Sequence, residues 1–350
     1  MTFVLGRGDG EGPAGALGHY LARDGSRGAR VGVDFDAPHA ALVVGKRGTG
    51  KSYTLGVLAE GIADAAGVAP VVVDPMGVFG GLEACGAKVV DDPSVPAGAL
   101  SPRAWCDLLA LSPESAVGSL VWAAAGAADT LEGMHAAVTE AEAPADERRG
   151  AHNHLDLAAS WGVFDADAPA AALVAPEGTV LDVSGLDRAP MNAVVRAVAE
   201  GLYRGRVREE LRRLPWLLVD EAHAFFDGVA GPGLERLLTR GRAPGVSLVA
   251  ATQRPSALPA VAVSQSDLLV AHRLTSERDL DALARARPTY LDTALAEQLP
   301  TGAGDVVVVD DATETVHAAR VRRRHTPHGG DSPSVSEIRG DDSPADHSDL

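Results

Sequence analysis

ALVVGKRGTGKS, Ala41 to Ser52, leads an apolar strand directly into a loop that satisfies G-x-x-x-x-G-K-[ST] at each fixed position. The residues that follow, from Lys51 to Ala66, read as a helix, so the loop joins a strand to a helix amino terminus. Each part has a physical task. Gly45, Gly48 and Gly50 let the backbone wrap a phosphate chain with its N–H groups turned inward, and the helix terminus adds positive potential. Lys51 supplies a point charge for the β- and γ-phosphates, and the Ser52 hydroxyl suits Mg²⁺. Gly45, Lys46, Arg47, Gly48, Thr49, Gly50, Lys51, Ser52 and Tyr53 are therefore the expected ATP-binding segment.

Outward from this loop, apolar runs bounded by turn residues mark strands. They fall at Ala41–Val44, Pro70–Asp74, Val180–Val183, Trp216–Asp220, Val246–Thr252, Leu268–Ala271 and Asp305–Val309. Most are unbroken Val, Leu and Ala runs, the pattern of parallel strands covered on both faces. Helical stretches at Lys51–Ala66, Met191–Leu214 and Gly233–Arg242 intervene, so the expected fold is a doubly wound α/β domain with a mostly parallel sheet. Residues 101–161 interrupt the alternation with Ala-rich helical segments and a polar break at Glu142–His154, and read as a helical insertion. Residues 1–40 read as a short Gly-rich segment with a hairpin near Arg30–Phe35, residues 41–325 as the nucleotide-binding domain, and residues 326–350 as a disordered acidic tail.

LPWLLVDEAHAF ends a strand in Asp220 and Glu221. An acid at the carboxyl end of a core strand can hold Mg²⁺, and a second beside it can orient the attacking water. The next strand, VSLVAATQRP, ends in Gln253, whose amide could hydrogen-bond both that water and the γ-phosphate. Glu221 and Gln253 are placed to activate water, which disfavours a small-molecule kinase. His152 and His154, an H-x-H on a polar stretch, read as surface residues and not metal ligands, and His223 as a residue packed beside the acidic pair.

The ordered set of LVVGKRGTGKSYTLGVLAEGI, VVVDPMG, LLVDEAHAF, GRAPGVSLVAATQRPSALPAVAVSQSDLLVAHRL and VRRRHTPHGG resembles the motor domain of the HerA/FtsK superfamily, closest to archaeal HerA-like ATPases. The resemblance spans residues 41–330. It implies a RecA-like (ASCE) P-loop ATPase that uses ATP and Mg²⁺ and works as a homo-oligomer, a hexameric ring, that moves DNA as a translocase or helicase. A nuclease or another protein is the further partner it suggests. Carried across, Lys51 and Ser52 match the Walker A pair, Asp220 and Glu221 the Walker B pair, and Gln253 the strand-end sensor. Arg242 matches the arginine given to a neighbouring subunit's γ-phosphate, with Arg240 and Arg273 as alternates. Where the family carries an amino-terminal β-barrel, this chain has about 40 residues. An ATP-gated switch or scaffold acting on a protein partner is the alternative that the short amino terminus suits.

Composition sets the remaining bounds. With 46% hydrophobic and 23% charged residues the chain is globular, not disordered throughout. Cys85 and Cys106 are too few for a disulfide framework or a cysteine zinc site. The uncharged run Ser115–Ala128 is too short to cross a bilayer, and the amino terminus lacks the apolar core of a signal peptide, so the expectation is a cytoplasmic protein without a membrane partner. Thirty-one basic against 48 acidic residues give a net charge of −17, and only three of the basic residues are Lys. This resembles proteins of salt-adapted archaea, and it does not advertise a nucleic-acid surface by bulk charge.

Overall fold

The computed structural model describes residues 2–7, 10–22, 24–164, 170–285 and 295–330. Its strands are β1 Thr2–Leu5, β2 Ala14–Leu21, β3 Arg27–Asp34, β4 Ala40–Val44, β5 Val68–Asp74, β6 Lys88–Val90, β7 Thr179–Asp182, β8 Leu214–Val219, β9 Ser247–Thr252, β10 Leu268–Ala271, β11 Asp305–Asp310 and β12 Thr315–Val321. Helices α1 Lys51–Asp64, α2 Pro102–Leu108, α3 Ala116–Ala127, α4 Leu131–Glu140, α5 Ala145–Ser160 and α6 Arg188–Val207 precede β8. Beyond it come α7 His223–Phe226, α8 Gly231–Arg240, α9 Ala260–Ser264, α10 Glu277–Arg285 and α11 Leu295–Gln298.

Among the described residues, 12 strands join in one sheet in the order β1-β3-β2-β12-β11-β10-β4-β9-β8-β5-β7-β6. From β10 to β6 every pairing is parallel. From β10 across to β3 the pairings are antiparallel, and β1 adds in parallel to β3. Side chains on the central strands alternate between two apolar layers. Val71, Val73, Leu217, Val219, Leu248 and Ala250 pack with α6 and α8. Val72, Leu218, Val249 and Ala251 pack with Leu55, Leu58 and Ile62 of α1. Burial on both faces is why these strands show no polar alternation. β9 separates β4 from β8, the RecA-like (ASCE) order, so three neighbouring strands deliver the P-loop, Gln253 and the acidic pair to one end of the sheet.

Residues 1–40 extend this sheet. β2 and β3 form a hairpin whose connection precedes Arg27, so the expected hairpin near Arg30–Phe35 falls on its second strand, and β2 is hydrogen-bonded to β12. Gly18 is required at that crossing, because a Cβ there would lie 1.9 Å from the Arg320 carbonyl oxygen.

The helical insertion holds α2 to α5, with one correction. The expected polar break at residues 142–154 is helical from Ala145, because Ala151, Leu155 and Ala158 form a buried stripe and Asp146 and Glu147 favour the helix amino terminus. His152 and His154 are therefore on a helix, and His152 Nδ1 lies 2.9 Å from His135 Nδ1 of α4. α6 also ends earlier than Leu214, since Glu209 takes φ 59°. The arginines around this turn tie backbone together: Arg204 donates to Ala99 O at 3.0 Å, Arg206 to Pro244 O at 2.8 Å and Arg213 to Val68 O at 3.4 Å.

After β12 the chain crosses α1 as a strap, Arg322–Gly330. Thr326, expected to begin the tail, is 6% exposed and seated on Glu60; the expected tail from residue 331 lies outside the described residues. Among the described residues no helix is long and apolar enough to cross a membrane.

Candidate nucleotide site

β4 hands the chain to the phosphate loop, which neighbouring strand ends hold from beneath. Gly45 N donates to Thr252 O of β9 at 3.4 Å, and Lys46 N to Arg273 O beyond β10 at 2.8 Å. Gly48 and Gly50 take φ 75° and 109°, in the left-handed region that glycine enters without strain. α1 starts at Lys51 with no side-chain cap and no acid in its first turn, so its free N–H groups are left for an anion. Lys51 is 5% exposed, with Nζ 3.2 Å from Lys46 O, and burial pulls its pKa below the usual ammonium range although Glu221 and Asp220 oppose this.

The acidic pair faces this loop. Ser52 Oγ donates to Asp220 Oδ2 at 2.5 Å. These two oxygens are the hard donors that Mg²⁺ prefers. Such a pair beside the phosphate loop fits an ion held by one or two protein oxygens plus substrate phosphates. Glu221 adopts φ 44°, strained for a residue with a Cβ, and its N–H donates to Asp220 Oδ1 at 2.9 Å. Burial, with the Asp220 charge adding to it, raises the Glu221 carboxyl above the usual carboxylate range, while Lys51 and a hydrogen bond from Gln253 partly offset this. Glu221 Oε2 is buried without a hydrogen-bond partner. His223 Nδ1 is 3.3 Å from it, but burial and the Arg254 and Lys51 charges lower the imidazole's pKa, so this contact is not an ion pair of two charged groups. Lys51, Ser52, Asp220, Glu221 and Gln253 thus meet at one site.

Residues 16–140 match the family described as helicase HerA, central domain. This segment carries the P-loop, and here the chain is similar to P-loop ATPases of the HerA/FtsK type. No curated protein matches it. Among solved structures, VirB4 of Thermoanaerobacter pseudethanolicus is 17% identical with TM-score 0.68, covering 90% of this chain and 98% of its own. The bacterial conjugative coupling protein TrwBdeltaN70 is 14% identical with TM-score 0.55, covering 92% of each chain. TrwB in complex with the non-hydrolysable GTP analogue GDPNP is 15% identical with TM-score 0.52, covering 82% of this chain and 87% of that one. These likenesses establish the fold, a RecA-like P-loop domain.

Arg242 is not brought to this site. It precedes β9, whereas Thr252 at the far end of β9 is in register with Val44 before the P-loop. The six residues of β9 separate them, roughly 20 Å at about 3.3 Å per residue. Its exposed guanidinium donates to Asp267 Oδ2 at 3.0 Å. Asp267 also meets His39 Nδ1 at 2.9 Å, and Asp34 lies 3.6 Å from His39 Nε2. Burial works against the His39 charge, but its bonds to Asp267 and Asp34 prevail and raise its pKa to about 9. Arg240 and Arg273 are both exposed, and Arg273 bears on the P-loop through its carbonyl.

Two features lie within the quoted motifs but are given no role there. His272, 1% exposed, supports the P-loop: its Nε2 meets Thr54 Oγ1 at 3.0 Å, and a Cβ on Gly45 would lie 2.6 Å from its own Cβ. Burial and then the Lys51 charge lower its pKa to about 4, so the imidazole is neutral. The second is the strap, which brings His328, Gly329 and Gly330 to the wall of a cavity of about 660 Å³ shared with the P-loop and Glu221.

Proposed function

We propose that the chain hydrolyses ATP with Mg²⁺ at this site, and that an oligomeric ring of it couples hydrolysis to moving DNA. The observation that carries the proposal is the half-buried Glu221 carboxylate, whose buried Oε2 has no hydrogen-bond partner beside the P-loop. A raised pKa makes it a stronger base than an exposed carboxylate, suited to taking the proton of an attacking water. Gln253 orients that water and the carboxylate together. Lys51 and the N–H groups at the start of α1 bind the β- and γ-phosphates. Ser52 and Asp220 would hold Mg²⁺, which would supply charge neutralisation on the phosphates.

Arg242 faces away from its own P-loop, which supports a role in trans: a guanidinium donated to a neighbour's γ-phosphate links hydrolysis to assembly. DNA as the track follows from the HerA/FtsK type together with a ring that encircles its substrate, since a chain of net charge −17 offers little attraction by bulk charge. Glu221→Gln tests the chemistry. It should bind ATP while turnover falls by about 10²-fold or more, the usual scale for a general base. A variant retaining wild-type turnover would remove Glu221 from the mechanism.

A further inference from the structure

A guanidinium that must meet a phosphate gives up its rotamer freedom on contact, unless the fold has already restrained it. Arg242 is restrained twice. Its backbone lies in a tight turn, where Val246 N donates to Gly241 O at 2.9 Å, Gly245 N donates to Gly241 O at 3.1 Å and Gly245 takes φ 87°. Its side chain, 76% exposed, is tied through Nη2 to Asp267.

A lone surface ion pair would hold an arginine only weakly. This pair is the outer end of a fixed row. Asp267 Oδ1 accepts from Ala40 N at 3.1 Å, Asp267 N donates to Ala40 O at 2.9 Å, and Asp267 O accepts from Asp311 N at 2.9 Å, so the carboxylate cannot swing away with the arginine. Behind it the buried His39 ring bridges Asp267 and Asp34, its backbone N–H donates to Ser247 Oγ of β9 at 3.0 Å, and Asp34 Oδ1 accepts from Arg7 Nε at 2.7 Å. With His39 charged at neutral pH, the row alternates in sign: Arg7, His39 and Arg242 are three cations against the two anions Asp34 and Asp267. One positive charge is left over, and the exposed end of the row is Arg242. The bond to Asp267 engages Nη2, and the guanidinium has further N–H groups to offer a phosphate oxygen.

We propose that Asp267 is a positioning residue which, braced by His39, holds Arg242 in the geometry that a second copy of this chain receives at its γ-phosphate. The proposal rests on the trans role of Arg242 proposed above. His39 precedes β4 and Ser247 opens β9, so the arginine given to a neighbour is braced on the same two strands whose far ends carry the chain's own P-loop and Gln253.

Steady-state ATPase rates and calorimetric Mg-ADP titration of the full chain test this. Asp267→Asn keeps the side chain's size and an oxygen for Ala40 N but removes the charge. Its kcat should fall about tenfold, less than the roughly 10³-fold or more that loss of a trans arginine costs, while KM and ADP affinity stay within about twofold. Asp267→Glu, which keeps the charge, should retain more turnover than Asp267→Asn. The loss should also be relieved by a neighbour. When Lys51→Ala chains, whose Arg242 and Asp267 are intact, are mixed in, turnover per Asp267→Asn chain should rise several-fold, whereas a fault in that chain's own fold would persist. Asp267→Asn with wild-type kcat, with ADP affinity lost alongside turnover, or with no relief from Lys51→Ala overturns the positioning role. Arg242→Ala that keeps wild-type turnover overturns the trans arginine itself, a separate failure.

Discussion

Glu60→Gln changes one atom in a carboxylate that is 2% exposed and receives four hydrogen bonds from the strap. The amide keeps a carbonyl oxygen for Thr326 and His325, but turns an NH₂ toward the Arg322 guanidinium and removes the charge that balances Arg322 and Arg324. One lost charge-assisted bond and one opposed donor pair cost about 3 kcal/mol together. Because the strap can lift while the sheet stays folded, the loss belongs to the strap locally. Amide hydrogen exchange at His325 and Thr326 reads it directly, and about 3 kcal/mol corresponds to roughly 100-fold less protection. The pH dependence has a definite sign. Burial alone would raise the Glu60 pKa, but the bonds from Thr326, Arg322 and His325 hold it below the usual carboxylate value. Its contribution is therefore present above about pH 4.3 and is lost as pH falls through the lower folded pKa. Protection that stays within about threefold of wild type in Glu60→Gln, at a site argued from bonds worth about 1 kcal/mol or more each, would refute the latch.

Gly45→Ala places a Cβ 2.6 Å from His272 Cβ and 2.7 Å from Thr49 Oγ1, so ADP affinity should fall more than tenfold and the urea midpoint should drop by the equivalent of about 1–3 kcal/mol. The raised pKa of His39, about 9, contributes stability that is fully present below about pH 6.5 and is lost as pH rises through 9, about 3 kcal/mol in all; His39→Gln should flatten that part of a stability-against-pH curve measured by urea unfolding. Arg242→Ala alone should be inactive yet bind ADP, and mixed with Lys51→Ala it should regain turnover at those interfaces where an intact P-loop meets an intact arginine. Mixtures with no regained turnover would count against a trans arginine.

Much of the fold is legible because the central strands are covered on both faces and so carry unbroken apolar runs. The expected strands at 41–44, 70–74, 180–183, 216–220, 246–252, 268–271 and 305–309 appear as β4, β5 and β7 to β11. β2 and β12 leave no such signal. Their faces are half-exposed, β12 carries His317 and Arg320, and β2 carries Gly18 where two backbones meet. α5 is hidden by its polar surface, since Ala151, Leu155 and Ala158 are a narrow buried stripe among charges. At the site, the P-loop and the strand-end acids are local patterns and can be read from the sequence. His272 and the strap act through contacts with residues more than 200 positions away, such as Thr54 with His272 and Glu60 with Thr326, which local pattern does not encode.

The central claim is that ATP hydrolysis by this chain moves DNA, and the most direct measurement is its ATPase rate in molar KCl with and without linear duplex DNA, with Glu221→Gln as the control for contaminating activity. The prediction is a several-fold rise with DNA that the Glu221→Gln variant lacks. A rate that depends on Glu221 but is the same with and without DNA would contradict it, and would point to a protein as the partner.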